Sequence, residues 1–420
     1  MKNTVFSALS QGFTHPVRDP LWGHIYLRPA LAGLLDAAPF MRLGRIFQLG
    51  PVFLVYPGAT HTRASHSIGV YHIGRRLLQN LAERGADGWL SAQGVSSFLC
   101  ACLLHDLGHF PYAHSLKELP LACHESLSAQ IMLKEPLKSL VGKTGAEPTF
   151  AAAIVDKEMP LPKGAGGELL FYRKLLSGCL DPDKLDYLNR DARYCGVPYG
   201  AQDVDFILSR LHPHKQRGAD IDSRLIPNVE AVLFSKYLMY RSVYWHRQVR
   251  AATAMVKKAL IEGLQSGRLA GGELYGLEDQ SLFAILECTG SEGLVKAIRE
   301  GSLYETLCEL PFNRGAHAKL LDLKGRGLYE EKIEERLRAG GMAVKAGDVI
   351  IDIPEPISFE TGLYVRDEHC YFAQSSSAFN AKIVDSFVRS LYTLRVFIKP
   401  KFEKKPKAKQ AAAEILGLAK

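Results

Sequence analysis

No run of eighteen apolar residues occurs in the chain, so no membrane-spanning helix is expected. The opening stretch, MKNTVFSALSQGFTHPVRDP, lacks the long apolar core and small-residue cleavage site of an export signal. The 8 cysteines show neither disulfide-framework nor zinc-ribbon spacing; Cys100 and Cys102 merely lie close together within an apolar run. A reduced cytoplasm is therefore the expected location. Internal repeats and extended low-complexity linkers are missing too. Charge of one sign is modest, at +8 over 420 residues, and much of it sits in KPKFEKKPKAK, from Lys399 to Lys409. That stretch is expected to be a solvated basic tail over residues 401–420. A weak contact to nucleic acid is its sharper reading, although no aromatic-rich stacking surface accompanies it.

What is present is ordinary for a globular protein: 47% hydrophobic and 23% charged residues. The length allows one large domain and a smaller appendage. From about Ala30 to Leu140 apolar residues recur at helical spacing, through LAGLLDAAPFMRLGRIFQL, SIGVYHIGRRLLQNLAERG and VSSFLCACLLHDLG. Helical spacing resumes from about Asp203 to Gly263 and continues through LYGLEDQSLFAILE and EGLVKAIREGSLYETLCEL. Near Gly340 the pattern changes. GDVIIDIPEPI and GLYVRDEHCYFAQ read as short strands, AKIVDSFVRSLYTL as a helix, and RVFIKPKF as a last strand. The expected architecture is mainly α: a large all-helical lobe over 1–335, then a smaller α+β region over 336–400.

The histidines carry the chemistry. Of 14, seven fall in one stretch: His61, His66, His72, His105, His109, His114 and His124. A lone histidine on an apolar helix is usually a satisfied core residue; a dense cluster with adjacent acids needs another explanation. At its centre HDLGHFPYAH follows the apolar run VSSFLCACLL. A buried helix ending in His105-Asp106 presents an imidazole nitrogen and a carboxylate oxygen near one point, which suits a divalent cation with mixed N/O ligation. Two ligands do not hold a metal firmly, and spacing alone does not choose the others, since the candidates His66 and Asp183 lie far off in sequence.

The chain resembles the HD-domain superfamily, whose metal ligands follow the order H…HD…D. On that pattern the ligands are His66, His105, Asp106 and Asp183. Within the superfamily it is similar to the deoxynucleoside triphosphate triphosphohydrolases, including those that carry a sterile alpha motif, a part with no counterpart expected here. The matching segments run from about Arg18 to Arg247: RDPLWGHIYL, FMRLGRIFQLG, VYPGATHTRASHSIGV, LLHDLGHFPYAHS, HES, LDPDKLDYLNRDARYCGV and YRSVYWHR.

The resemblance implies a helical phosphohydrolase fold and a divalent ion (Fe, Mn, Zn, Ni or Mg). It implies His109, His124 and His114 as catalytic histidines, one of them donating a proton to the leaving oxygen. It implies Arg63 and Lys184 as phosphate contacts, Gln48 and Leu49 beside the sugar, Asp191 facing the 3′-hydroxyl, and Tyr187 and Tyr244 packing on sugar or base. A site that hydrogen-bonds one hydroxyl and sterically refuses another can tell deoxyribose from ribose. Self-association into a homo-oligomer is also implied.

The chain departs from the family at Phe110, where glycine is usual, and at Lys117, where an acid usually supports a catalytic histidine. Ala64-Ser65 replaces the usual Phe-Glu before the first metal histidine. Glu118, beside Lys117, would point elsewhere on a helix. The expected reaction is hydrolysis of a deoxynucleoside triphosphate to deoxynucleoside and tripolyphosphate. Two alternatives stand beside it: an HD phosphohydrolase acting on a monophosphate or signalling nucleotide, and a nucleotide sensor or nucleic-acid binder with little turnover.

Overall fold

A computed structural model describes residues 4–116, 118–119, 121–160, 166–355, 357–400 and 405–416. Lys117 and much of the basic tail (401–404 and 417–420) lie outside the described residues. Among the described residues eighteen α-helices dominate, with four small sheets, so the protein is mainly α with a smaller α+β region towards the C-terminus. None of the described helices is long and apolar enough to cross a membrane.

Four helices set the site. Helix α1 (Arg63–Glu83) buries His66, Gly69, Val70, Ile73, Gly74 and Leu77, a stripe at three- and four-residue spacing. Helix α2 (Ala92–Leu104) starts at Ser91, whose hydroxyl accepts from the Gly94 amide, and is buried on all sides from Gly94 onward. It packs against α1 and ends at His105. Helix α3 (His124–Met132) lies alongside the His-Asp turn; the Ser128 hydroxyl bonds both the Gly108 amide and the His105 carbonyl. A Cβ on Gly108 would collide with the His124 carbonyl, so this approach requires glycine. Helix α4 (Pro182–Cys195) is capped by Asp181, begins with proline and stops at Gly196 in the left-handed region, and it packs on α1.

The helical stretch expected from Asp203 onward is interrupted where it matters. Helix α5 (Ile226–Met239) passes into a π-helical turn at Tyr240–Tyr244 before helix α6 (Arg247–Gln265) begins. Such turns re-aim side chains at the cost of regular hydrogen bonding.

Two expectations need correction. EGLVKAIREGSLYETLCEL is not one helix: the helix covers Glu292–Arg299, Gly301 turns the chain with φ of +69°, and Glu305–Pro311 becomes strand β1. Helical spacing in this stretch was misleading because the adjacent residues Leu307 and Cys308 are buried together in a core shared by the sheet and the helices packed on it. This strand lies ahead of residue 336, so the α+β region draws on chain from the helical side. The sheet is antiparallel in the order β1, β3 (Thr393–Ile398), β2 (Val349–Asp352), which puts the expected last strand at its centre. The tail is the second correction. Beyond helix α7 (Leu323–Ala339), residues Lys405–Ile415 form helix α8, which packs on α7 and β1 with Ala408 and Ala412 fully buried. The small residues on one face allow this docking, while Lys407 and Lys409 are exposed.

Candidate functional site

The four expected metal ligands converge. His66 on α1, His105 after α2 and Asp183 on α4 bring ligand atoms within 4.8 Å of one another. His66 Nε2 lies 3.0 Å from Asp183 Oδ1, and His105 Nε2 lies 4.0 Å from the same oxygen. Asp106 adjoins them, with Oδ1 3.3 Å from His105 Nε2. It also belongs to a neighbouring group with His109 and His124.

These residues fit a cation. His105 Nδ1 is engaged by the Cys102 carbonyl at 2.9 Å, while its Nε2 is buried with no hydrogen-bond partner among the described residues. His66 Nδ1 is held by Asp186 Oδ2 at 2.9 Å, which points Nε2 at the same spot. Orienting partners of this kind fix the ring and leave one nitrogen free for a metal. Burial opposes protonation of His66, yet the carboxylates on both its nitrogens raise it to about 10. Burial likewise opposes ionisation of Asp106 and Asp183, but the neighbouring histidines, joined by Arg63 at Asp106, hold both well below the usual carboxylate range. The site thus gathers negative charge that a cation would balance.

A cavity of about 340 Å³ opens from this group. It is lined by His109, His114 and His124, whose rings cluster: His109 stacks on His124 with centroids 3.8 Å apart, and His114 lies 4.6 Å from His109. Burial, the Arg63 guanidinium and the adjacent imidazoles push His109 well below its ordinary value. Arg63 donates to Asp106 Oδ2 at 2.8 Å and lines the cavity, with its Nε unpaired among the described residues. Glu125 places a carboxylate 3.1 Å from His124 Nδ1. Glu118 turns away from this cluster, pairing with Lys257 and Arg326, and Phe110 is buried in a second apolar core.

Gln48, Leu49, Tyr187, Asp191 and Tyr244 line the same cavity. The Gln48 amide bonds the His61 carbonyl and the Arg63 amide bonds the Ile46 carbonyl, a short β-like clasp that carries Gln48 and Arg63 together. The Gln48 Oε1 is buried with no partner among the described residues. Lys184 differs. It is not among the cavity-lining residues; its ammonium lies 2.7 Å from Asp181 Oδ2, 3.0 Å from the Gly178 carbonyl and 3.7 Å from Glu360.

Several residues escaped sequence reasoning. Asp186 is fully buried and bonded by His66, by Trp22 Nε1 at 2.6 Å and by both arms of Arg190, which reaches Asp19 at 2.9 Å. The helical spacing of Asp183, Asp186 and Arg190 was a usable signal. Arg42 clamps the carbonyls of Leu107 and His109, bracing the His-Asp turn. Arg250, Lys257 and Glu355 line the same cavity, and nothing in their local sequence marked them.

A cluster of two histidines and two aspartates able to hold a cation, at the junction of packed helices and opening on a cavity, defines the class of helical protein. The HD domain profile matches residues 63–162, and the profile of the HD associated region matches residues 207–420, half of the chain. The chain belongs to the HD-domain family. It is 33% identical over 246 residues to an uncharacterized protein of Bacillus subtilis, covering 58% of this chain and 54% of that one. It is 33% identical over 357 residues to the deoxynucleoside triphosphate triphosphohydrolase of Danio rerio, covering 77% of this chain and 56% of that one. The match thus spans little more than half the length of these curated relatives. A solved phosphohydrolase from Bacteroides thetaiotaomicron shares the fold, with a TM-score of 0.72 at 21% identity over 92% of this chain and 100% of that one.

Proposed function

We propose that the protein is a metal-dependent phosphohydrolase that converts deoxynucleoside triphosphates to deoxynucleoside and tripolyphosphate. The observation that carries this reading is one cavity lined both by His66, His105, Asp106 and Asp183 and by Gln48, Leu49, Tyr187, Asp191 and Tyr244. His66, His105, Asp106 and Asp183 would hold the ion, one of Fe, Mn, Zn, Ni or Mg. Such an ion supplies Lewis acidity towards a phosphoryl oxygen and towards water.

The chain's own residues do the rest. Arg63 offers its unpaired guanidinium edge to a phosphate. His109, kept neutral by burial and neighbouring cations, can accept a proton from the attacking water. The adjoining His114 and His124 can return it to the leaving oxygen. Asp191, which can only accept hydrogen bonds when ionised, suits the 3′-hydroxyl, and the Leu49 side chain disfavours a 2′-hydroxyl. The Danio rerio relative, named for this activity, supports the substrate class. Self-association is part of the same reading.

The position of Lys184 favours a second reading, hydrolysis of another nucleotide such as a monophosphate or signalling nucleotide, because its ammonium is held by Asp181 rather than presented to the cavity. Product identification across a panel of nucleotides and metals separates the two. Tripolyphosphate release supports the triphosphohydrolase; orthophosphate as the sole product overturns it.

A further inference from the structure

We propose that His61 is a positioning residue that fixes Asp191 as the sugar-hydroxyl acceptor, so that His61 sets how strongly the enzyme demands a 3′-hydroxyl. The proposal rests on the deoxynucleotide reading above and assigns a role to a residue outside the catalytic and metal groups.

His61 and Asp191 are both buried, 130 positions apart in sequence, with His61 Nε2 2.8 Å from Asp191 Oδ1. The other carboxylate oxygen accepts from the Tyr244 hydroxyl at 2.5 Å. One donor on each oxygen stops the carboxylate from rotating. About four acceptor positions exist on an ionised carboxylate, so lone pairs remain, and Asp191 lines the cavity. What meets them must donate: a hydroxyl or amine, and never a phosphate. The cavity therefore has an anion-accepting pole at Arg63 and a donor-demanding pole at Asp191.

The scaffold holds His61 firmly. Its ring lies 4.5 Å from Tyr194 between centroids, on the last turn of the helix that carries Asp191. The preceding Gly58 approaches the Tyr194 carbonyl so closely that a Cβ there would collide with it. The His61 carbonyl in turn accepts from the Gln48 amide, joining the clasp that carries Gln48 and Arg63. His61 Nδ1 is buried with no partner among the described residues, so the ring's bonded edge is Nε2, facing Asp191.

The test compares kcat/KM for the best-used deoxynucleoside triphosphate with that for its 2′,3′-dideoxy counterpart, together with metal content. His61→Phe keeps the ring against Tyr194 and removes the donor; His61→Gln keeps a donor. His61→Phe is expected to lower the 3′-hydroxyl preference about tenfold, the loss of one hydrogen bond to a charged group, mainly through KM, with metal content unchanged. His61→Gln should recover most of the preference. Should His61→Phe fail to fold, His61→Ala serves the same comparison. Equal losses on both substrates, or an unchanged preference, overturn the proposal. A wild-type protein that hydrolyses no deoxynucleoside triphosphate overturns the functional reading itself, and this assignment with it.

Discussion

Asp183 and Asp186 lie one helical turn apart on α4 and both touch His66, yet they should fail in opposite ways when neutralised. Asp186 has no exposed surface and answers Arg190, which is also fully buried, through two hydrogen bonds of 2.8 and 2.9 Å. In Asp186→Asn the guanidinium keeps only Asp19. Removing one partner of a buried ion pair costs about 3–5 kcal/mol because the remaining charge stays out of water. At about 2–4 °C per kcal/mol for a domain of a few hundred residues or less, the melting temperature should fall by on the order of 10 °C. The same change loosens the His66 ring, so metal affinity should drop about 10–100-fold. Asp183 has a side chain 37% exposed, towards the cavity, with His66 as its near partner. Asp183→Asn should therefore remove the metal while changing stability by no more than about 1 kcal/mol, the range of a partly solvated pair. Melting curves of the metal-stripped variants, paired with metal titration of each, read both effects. Equal destabilisation by the two variants would refute the division of labour between ligand and support.

His105→Ala is expected to abolish metal content and turnover together; full activity in that variant refutes the site, as read by metal analysis of the purified protein. Gly69→Ala drives a Cβ into Asp186 Oδ1 and the Arg190 guanidinium, so it should cost about 1–3 kcal/mol or more and weaken metal binding, whereas Gly33→Ala, with open space around it, should do neither. Asp279 accepts from the Phe47 amide at 2.8 Å, and burial raises it to about 6. Its folded value lies above the unfolded one, so the folded state binds the extra proton and loses stability as pH rises from about 4 to 6. Asp279→Asn should melt close to wild type at pH 4 and higher than wild type at pH 7, by about 2 kcal/mol; an equal gap at both pH values refutes the assignment.

The candidate metal centre was legible in the sequence to the extent that its order, H…HD…D, is written in the chain, though only resemblance selected His66 and Asp183. Burial and helix ends explain why the geometry then follows: each ligand stands at the start of a helix or just past the end of one. The supporting residues were less legible. Arg190 and Asp186 stand four residues apart, at helical spacing, but nothing in that spacing marks them as fully buried charges beside the site. His61 was noticed only as one of a cluster, because its partner lies 130 residues away. The strand at Glu305–Pro311 was missed because a strand buried on one edge can imitate helical spacing over a few residues. The tail misled through composition: its lysines dominated the reading, while the alanines that dock the helix carried no signal.

The C-terminal region does more than append a sheet. Glu355 and Ile357 enter the cavity from the segment after β2, and Arg250, which lines it, is fixed by Asp352 at the end of that strand through bonds of 2.8 and 2.5 Å. Two residues beyond Ser358, whose carbonyl accepts from Lys236 at 2.8 Å, Glu360 draws Lys236 to 3.2 Å and Lys184 to 3.7 Å. Lys184 directly follows the metal-ligand candidate Asp183, so a carboxylate from the C-terminal region sits against the helix that carries this candidate ligand. A boundary at 336 separates these groups on paper, but the cavity wall is built from both sides of it. The wall of the candidate site is thus completed by the α+β region, and substitutions there should be read as changes to that cavity and not to a distant appendage.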